Sequence, residues 1–325
     1  MEQSTSQETS PAKAEPAGGR KPLSQTMVGY LAVLVASAAW GTSGVFVKLV
    51  ILESEVSAIS LAFWRDITTF VVLLTGLRLF RPDLLRVKRR DLWPLVGLGV
   101  TLGIFHVLWN LGVMVSGAAV ATVQQAAMPA MVTVAAWFLW REALNWAKIL
   151  AIALTFAGTV FVSGLEVLGE IELSLGGLLL GLAIPLFYAA WNLFGKQARR
   201  THSPLTTLTY GFGIAALLLL PLQFYTPQPW PVPPMAWVWF AGLIFVSTIA
   251  GFSIYTFALG WLPASVATIL AMSEIPFVVV YAYLLLGERL TPIQIAGSVL
   301  VIAGVLLLFW YTNGKKDRRV RVMGP

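Results

Sequence analysis

From Val28 to Tyr311 the chain is a succession of apolar stretches, each long enough to cross a bilayer core of about 30 Å at about 1.5 Å per residue. Short charged or proline-rich connections separate them, and no soluble domain is inserted. Ten spans are predicted, at 28–50, 57–79, 92–114, 118–140, 146–164, 175–197, 204–225, 235–259, 264–286 and 291–311. A composition that is 58% hydrophobic and 11% charged agrees with this. The fold class expected is therefore an all-α polytopic membrane protein.

The spans repeat. Ala118-x-Val120-Ala121-Thr122 falls on Ala264-x-Val266-Ala267-Thr268 at an offset of 146 residues. At that offset Glu142 meets Glu288, Leu144 meets Leu290, Ile149 meets Ile295, and Ala157-Gly158 meets Ala303-Gly304. Identities at one fixed offset mark an internal duplication. Phe46-x-Lys48 and Phe194-x-Lys196 extend it to the first span of each half. The expected organisation is a disordered tail over 1–27, five-helix repeats over 28–164 and 175–311, and a basic tail over 312–325.

Loop charges orient the chain. Arg78, Arg81, Arg86, Lys88, Arg89 and Arg90 lie between spans two and three. Arg141, Lys148, Arg199 and Arg200 follow on the same side, as do the lysines and arginines after Tyr311. Glu53, Glu55, Glu166, Glu170, Glu172 and Glu288 face the other side, with Arg289. Both termini are placed in the cytoplasm, and a five-span unit then makes the second repeat inverted relative to the first. Inverted repeats are a common plan of secondary transporters, with the site near the midplane.

Several classes are set aside. The net charge of +7 sits in loops and tails and carries no nucleic-acid reading. The sequence has no cysteine, no phosphate loop for ATP, and no H-E-x-x-H or other metal-ligand cluster. Neither a cofactor nor a metal is expected. Gly41-Thr42-Ser43-Gly44 matches the G-x-S-G of rhomboid proteases, but such a serine needs a histidine base, and only His106 lies in a span. The expectation is a protein that is not an enzyme.

Trp40-Gly41 with Lys48, Phe63-Trp64-Arg65, Arg141-Glu142, Gly287-Glu288-Arg289, Gln294-x-x-Gly297 and Ala303-Gly304 together resemble the drug/metabolite transporter superfamily, in its EamA-type ten-helix form. In span nine Ile275 separates Glu274 from Pro276, where the family usually has Glu-Pro. The resemblance implies two inverted five-helix repeats around a central cavity. It also implies export of small metabolites or amino acids across a bacterial plasma membrane.

Glu274 is the first candidate for function. A carboxylate near the bilayer centre costs about 2.5–3.5 kcal/mol by insertion scales, so it is kept where it faces protein or water. It could bind a substrate amine or take up a proton; alternatively it pairs with a neighbouring helix. Met128 stands at its place in the first half. Lys48, Arg65 and Asp66 are read as a gating or ion-pair group, with Arg65 also able to grip a carboxylate. His106, Trp109, Asn110, Gln124, Gln125, Tyr188, Trp191, Asn192, Tyr255 and Tyr281 supply polar and aromatic groups at mid-depth, suited to a small zwitterionic or amphipathic molecule. Each of them could instead make ordinary helix–helix contacts.

The predicted function is a secondary transporter embedded in the lipid bilayer, exporting small organic metabolites such as aromatic or neutral amino acids by alternating access. A proton is the candidate coupling ion, and the protein is a monomer or homodimer. Uptake on the same fold is one alternative. A non-transporting scaffold or lipid-handling protein is another.

Overall fold

The computed structural model describes residues 24–163, 175–226, 231–286 and 291–322, without the side chains of 113–121 and a few others. The described residues are almost entirely helical. Spans one and two give α1 (Gln25–Gly41), α2 (Ser43–Ser54) and α3 (Ala58–Phe80). Next come α4 (Leu92–Gln125), α5 (Met128–Trp140) and α6 (Trp146–Ser163). The second half holds α7 (Leu175–Ala198), α8 (Pro204–Leu219), α9 (Pro234–Gly242), α10 (Gly251–Leu259), α11 (Ala264–Ala271), α12 (Glu274–Leu286) and α13 (Pro292–Val322). Nine stretches are long and apolar enough to cross a membrane among the described residues.

Local chemistry sets many of the ends. Ser24, Ser57 and Ser203 cap α1, α3 and α8 by accepting hydrogen bonds from backbone N–H groups three residues on. Glu55 and Arg141 end α2 and α5 in the left-handed region, at φ 52° and 53°.

Three predicted spans are broken rather than continuous. Span one is interrupted at Thr42, whose hydroxyl donates to the Ala39 carbonyl at 2.6 Å. Span nine breaks at Met272–Ser273 and span four at Ala126–Ala127. These last two breaks stand 146 residues apart, and so do the helices they start: Met128–Trp140 and Glu274–Leu286.

The boundary predicted between spans three and four has no counterpart in the backbone, which stays helical from Leu92 to Gln125. The stretch is nevertheless not straight. Phe105 stacks on Tyr188 at 4.5 Å, while Met128, 23 residues later, touches Asn192 one turn further along α7. A straight helix would carry those two positions more than 30 Å apart. Another difference is that α13 continues to Val322, through most of the expected tail.

The halves meet along α6 and α13. A Cβ at Gly158 would lie 2.6 Å from the Gly297 carbonyl oxygen, and one at Gly297 2.6 Å from that of Gly158. Further along, a Cβ at Gly304 would lie 3.0 Å from the Ala151 carbonyl. Only small residues allow this approach. The helices run antiparallel, and the 146-residue offset turns the Gly158–Gly297 contact into the Gly304–Ala151 contact.

Candidate functional site

Between the halves lies a cavity of about 90 Å³ lined by polar and aromatic side chains. Its walls come from the break in span one (Trp40, Ser43), from α3 (Arg65), and from α4 (Phe105, His106, Trp109, Gln125). Opposite stand Tyr188 of α7, Ser247 and Thr248 of the stretch between α9 and α10, Phe252 of α10, and Glu274. Ser247 and Thr248 sit in a π-helical segment, Leu243–Ala250, where the Thr248 hydroxyl donates five residues back to the Leu243 carbonyl at 2.8 Å. Such wide turns re-aim side chains and are frequent at functional sites.

Glu274 enters the cavity from the first turn of α12, where the helix N-terminus favours negative charge. Among the described residues no hydrogen bond or ion pair holds its carboxylate. A smaller space beside it is bounded by Gln125, Met128, Tyr188, Met272 and Ile275. Met128 and Glu274, the repeat-related pair, thus share one pocket.

Arg65 brings the opposite charge. Its Nε is buried without a hydrogen-bond partner and lies 3.8 Å from Asp66 Oδ1. Asp66 is fully buried behind the wall, and its Oδ2 lies 3.0 Å from His106 Nδ1. Placing Arg65 and Asp66 on different faces, as their helical spacing requires, gives one to the cavity and the other to His106.

Other predicted site residues lie elsewhere. Trp191, Asn192 and Tyr255 form a layer behind the wall, each at most 1% exposed. The Tyr255 hydroxyl donates to Asn192 Oδ1 at 2.5 Å, and Asn192 Nδ2 donates to the Tyr188 carbonyl at 2.9 Å. Trp191 stacks between Tyr188 and Tyr255. Gln124 lies against Gly181, Tyr281 stacks on Phe277, and Lys48 is exposed on α2, outside the wall. The side chain of Asn110 lies outside the described residues, as do Glu166, Glu170, Glu172, Trp230 and Glu288. The sequence reading missed Trp40, Ser43, Phe105, Ser247, Thr248 and Phe252 as wall residues. Ser247 and Thr248 carry no signal beyond two hydroxyls in an apolar run.

The two ends of the cavity differ. Toward Glu142 the halves are cross-linked. The Glu142 carboxylate accepts from the backbone N–H of Ala264 at 2.9 Å and from the Ser265 hydroxyl. Lys148 Nζ donates to Ser265 Oγ at 2.7 Å and lies 3.5 Å from Glu142. Lys196 donates to the Leu259 and Leu262 carbonyls at 2.7 and 2.6 Å. An anion thus caps the N-terminus of α11 and a cation the C-terminus of α10, each matching its helix dipole. Toward Ser54 a small space bounded by Val47, Ile51 and Leu61 shares Arg65 and Trp109 with this cavity, and beyond it lies an apolar cavity of about 220 Å³ between α2, α3 and α9.

The sequence profile of the EamA-like transporter family matches twice, over residues 27–164 and 175–310. The chain belongs to the EamA-like transporter family. It is a multi-pass membrane transporter, and this membership describes a transporter rather than an enzyme. One relative, from Bacillus subtilis strain 168, bears the name "Uncharacterized transporter YwfM". It is 27% identical over 284 residues, covering 86% of this chain and 92% of the relative. A "Probable amino-acid metabolite efflux pump" of Salmonella typhimurium strain LT2 is 28% identical over 198 residues, covering 56% of this chain and 64% of the relative. A solved crystal structure superposes with a TM-score of 0.72 at 17% identity, covering 87% of this chain and 96% of the other, and shows the same fold.

Proposed function

We propose that this EamA-like transporter exports a small zwitterionic metabolite of the amino-acid class across the bacterial plasma membrane, by alternating access around the Arg65–Glu274 cavity. The observation that carries the reading is the pair of opposite charges, Arg65 and Glu274, on separate walls of one cavity, without a hydrogen-bonded side-chain partner among the described residues. Arg65 would take the carboxylate and Glu274 the ammonium group, through charge-assisted hydrogen bonds. Trp40, Phe105, Trp109, Tyr188 and Phe252 would supply apolar and aromatic faces for the rest of the molecule. A scaffold would have no use for two costly charges facing a mid-membrane cavity.

The loop charges support a cytoplasmic position for both termini and the Glu142 cluster. The described conformation is then cross-linked on the inside, with the apolar space toward Ser54 on the outside. The antiparallel α6–α13 seam supports the inverted relation of the repeats, around which the halves would rock. The relative named as an amino-acid metabolite efflux pump supports the substrate class and direction.

The test is counterflow of labelled neutral amino acids into liposomes preloaded with the same unlabelled amino acid, wild type against Glu274→Gln. Exchange in the wild type, reduced roughly 10- to 100-fold in the variant, is expected from loss of one charge-assisted bond. Wild-type protein that exchanges no amino acid would sink the substrate assignment.

A further inference from the structure

The geometry points to Asp66 and His106 as a proton-binding site in the cavity wall, separate from Glu274, through which each transport cycle moves a proton against the substrate. This rests on the transport reading above. Asp66 is fully buried within α3, a costly place for a fixed charge, and among the described residues its carboxylate's one hydrogen bond runs to His106 Nδ1 at 3.0 Å. Its second oxygen has no hydrogen-bond partner and only the loosely placed Arg65 Nε, 3.8 Å away.

An ionised carboxylate can only accept, so in this pair Nδ1 carries the hydrogen and donates it. His106 itself lines the cavity, and Nε2 is the nitrogen left to face it, with a free lone pair. A buried carboxylate behind an imidazole fixes the tautomer and the ring's orientation. A proton from the cavity adds to the Nε2 lone pair, imidazole becomes imidazolium, and the new charge is paired by Asp66. When the cavity faces the other side, the same proton leaves to water. The remaining titratable or charged groups facing this space are Arg65 beside Asp66, Tyr188 on α7 and Glu274 on α12.

Protonation turns the cavity-facing nitrogen from an acceptor into a charged donor. A substrate N–H group that uses Nε2, and a proton that occupies it, exclude one another. Mutual exclusion at one site is the relation an antiporter needs, and it leaves Glu274 free to serve the substrate alone.

Two measurements test this. The chain has two histidines, so His202→Asn leaves His106 as the sole ¹⁵N-histidine signal in lipid nanodiscs. The expected result is a Nε2 that titrates between pH 5 and 9 while Nδ1 stays protonated, with proton affinity at least tenfold weaker in Asp66→Asn. A His106 signal unchanged across that range, or unaltered by Asp66→Asn, overturns the proposal, whether or not any amino acid is transported. In liposomes, the ratio of pH-gradient-driven flux of labelled L-phenylalanine to its exchange at equal pH is expected to fall at least tenfold in Asp66→Asn. Asp66→Glu should recover part of it. An unchanged ratio in Asp66→Asn, with the ratio collapsing in Glu274→Gln, overturns the proposal and moves the proton to Glu274. Absence of L-phenylalanine exchange in wild type strikes the substrate reading, and the histidine titration then decides the proton site by itself.

Discussion

The two broken helices, α5 after Ala126–Ala127 and α12 after Met272–Ser273, are the same backbone device built twice. Their first residues are Met128 and Glu274. Met128 is 1% exposed, with its sulfur 3.7 Å from Asn192 Nδ2, whereas Glu274 reaches the polar cavity with no hydrogen bond from the described residues. Both breaks exist, yet only one carries a carboxylate. The carboxylate is therefore not what breaks the helix. This removes the main argument for a purely structural Glu274, and it makes the charge an addition to a fold that stands without it.

The sharpest way to break that comparison is to give the first half the residue of the second. Met128→Glu would put a second carboxylate into the pocket that Met128 and Glu274 share. The expected cost is about 3 kcal/mol, the price of an uncompensated mid-membrane acid plus repulsion from Glu274. Thermal unfolding in detergent should show it as a large drop in Tm. A variant as stable as wild type would mean that the two breaks tolerate charge equally and that their difference is accidental.

The converse substitution, Glu274→Met, should leave Tm near the wild-type value and lower transport roughly 10- to 100-fold, the worth of one charge-assisted contact of about 1.5–3 kcal/mol. Counterflow and thermal unfolding on the same preparation separate the two effects. Loss of the folded state with loss of transport would return Glu274 to a structural role.

How much of this was legible in the sequence depends on range. The spans and the duplication were readable because hydropathy and a fixed offset are properties of the chain alone. Pro276 hinted at the second break, and its effect is local. Pro129 follows the break at Ala126–Ala127 much as Pro276 follows the second, whereas the π-helical turn around Thr248 has no such punctuation. The pairing of Asp66 with His106 joins residues 40 apart, and that of Glu142 with Ser265 residues 123 apart. No periodicity encodes such contacts. Four residues apart, His106 and Asn110 share a helical face, whereas the His106 hydrogen bond goes to a different helix.

A third test moves to the start of the same helix pair. Glu142 caps α11, just ahead of the second break, by bridging from the first half. Glu142→Gln keeps the shape and removes the charge. It is expected to loosen this closure by about 1.5 kcal/mol, a shift of roughly tenfold toward the conformation open at the Glu142 end. Labelling of a single cysteine introduced at Ala267, buried in α11 behind this cluster, should accelerate by a similar factor. Unchanged labelling would show that the cluster braces the fold without controlling access.

The smallest effect should come from Tyr255→Phe, and it probes what holds the first break in place. The Tyr255 hydroxyl donates to Asn192 Oδ1, and Asn192 in turn touches Met128 and the Tyr188 carbonyl. The second break is tied differently, by the Ser37 hydroxyl donating to the Ala271 carbonyl at 3.3 Å. Without the phenol oxygen, the buried Asn192 Oδ1 loses its donor, which costs about 1 kcal/mol of stability. Because Asn192 also fixes the Tyr188 backbone in the cavity wall, substrate affinity should weaken severalfold while the pH dependence of transport stays as in wild type. A change in pH dependence would mean that the chain from Tyr255 to Tyr188 reaches the titrating groups. The uncharged break would then take part in proton handling, and the contrast between Met128 and Glu274 would no longer separate structure from function.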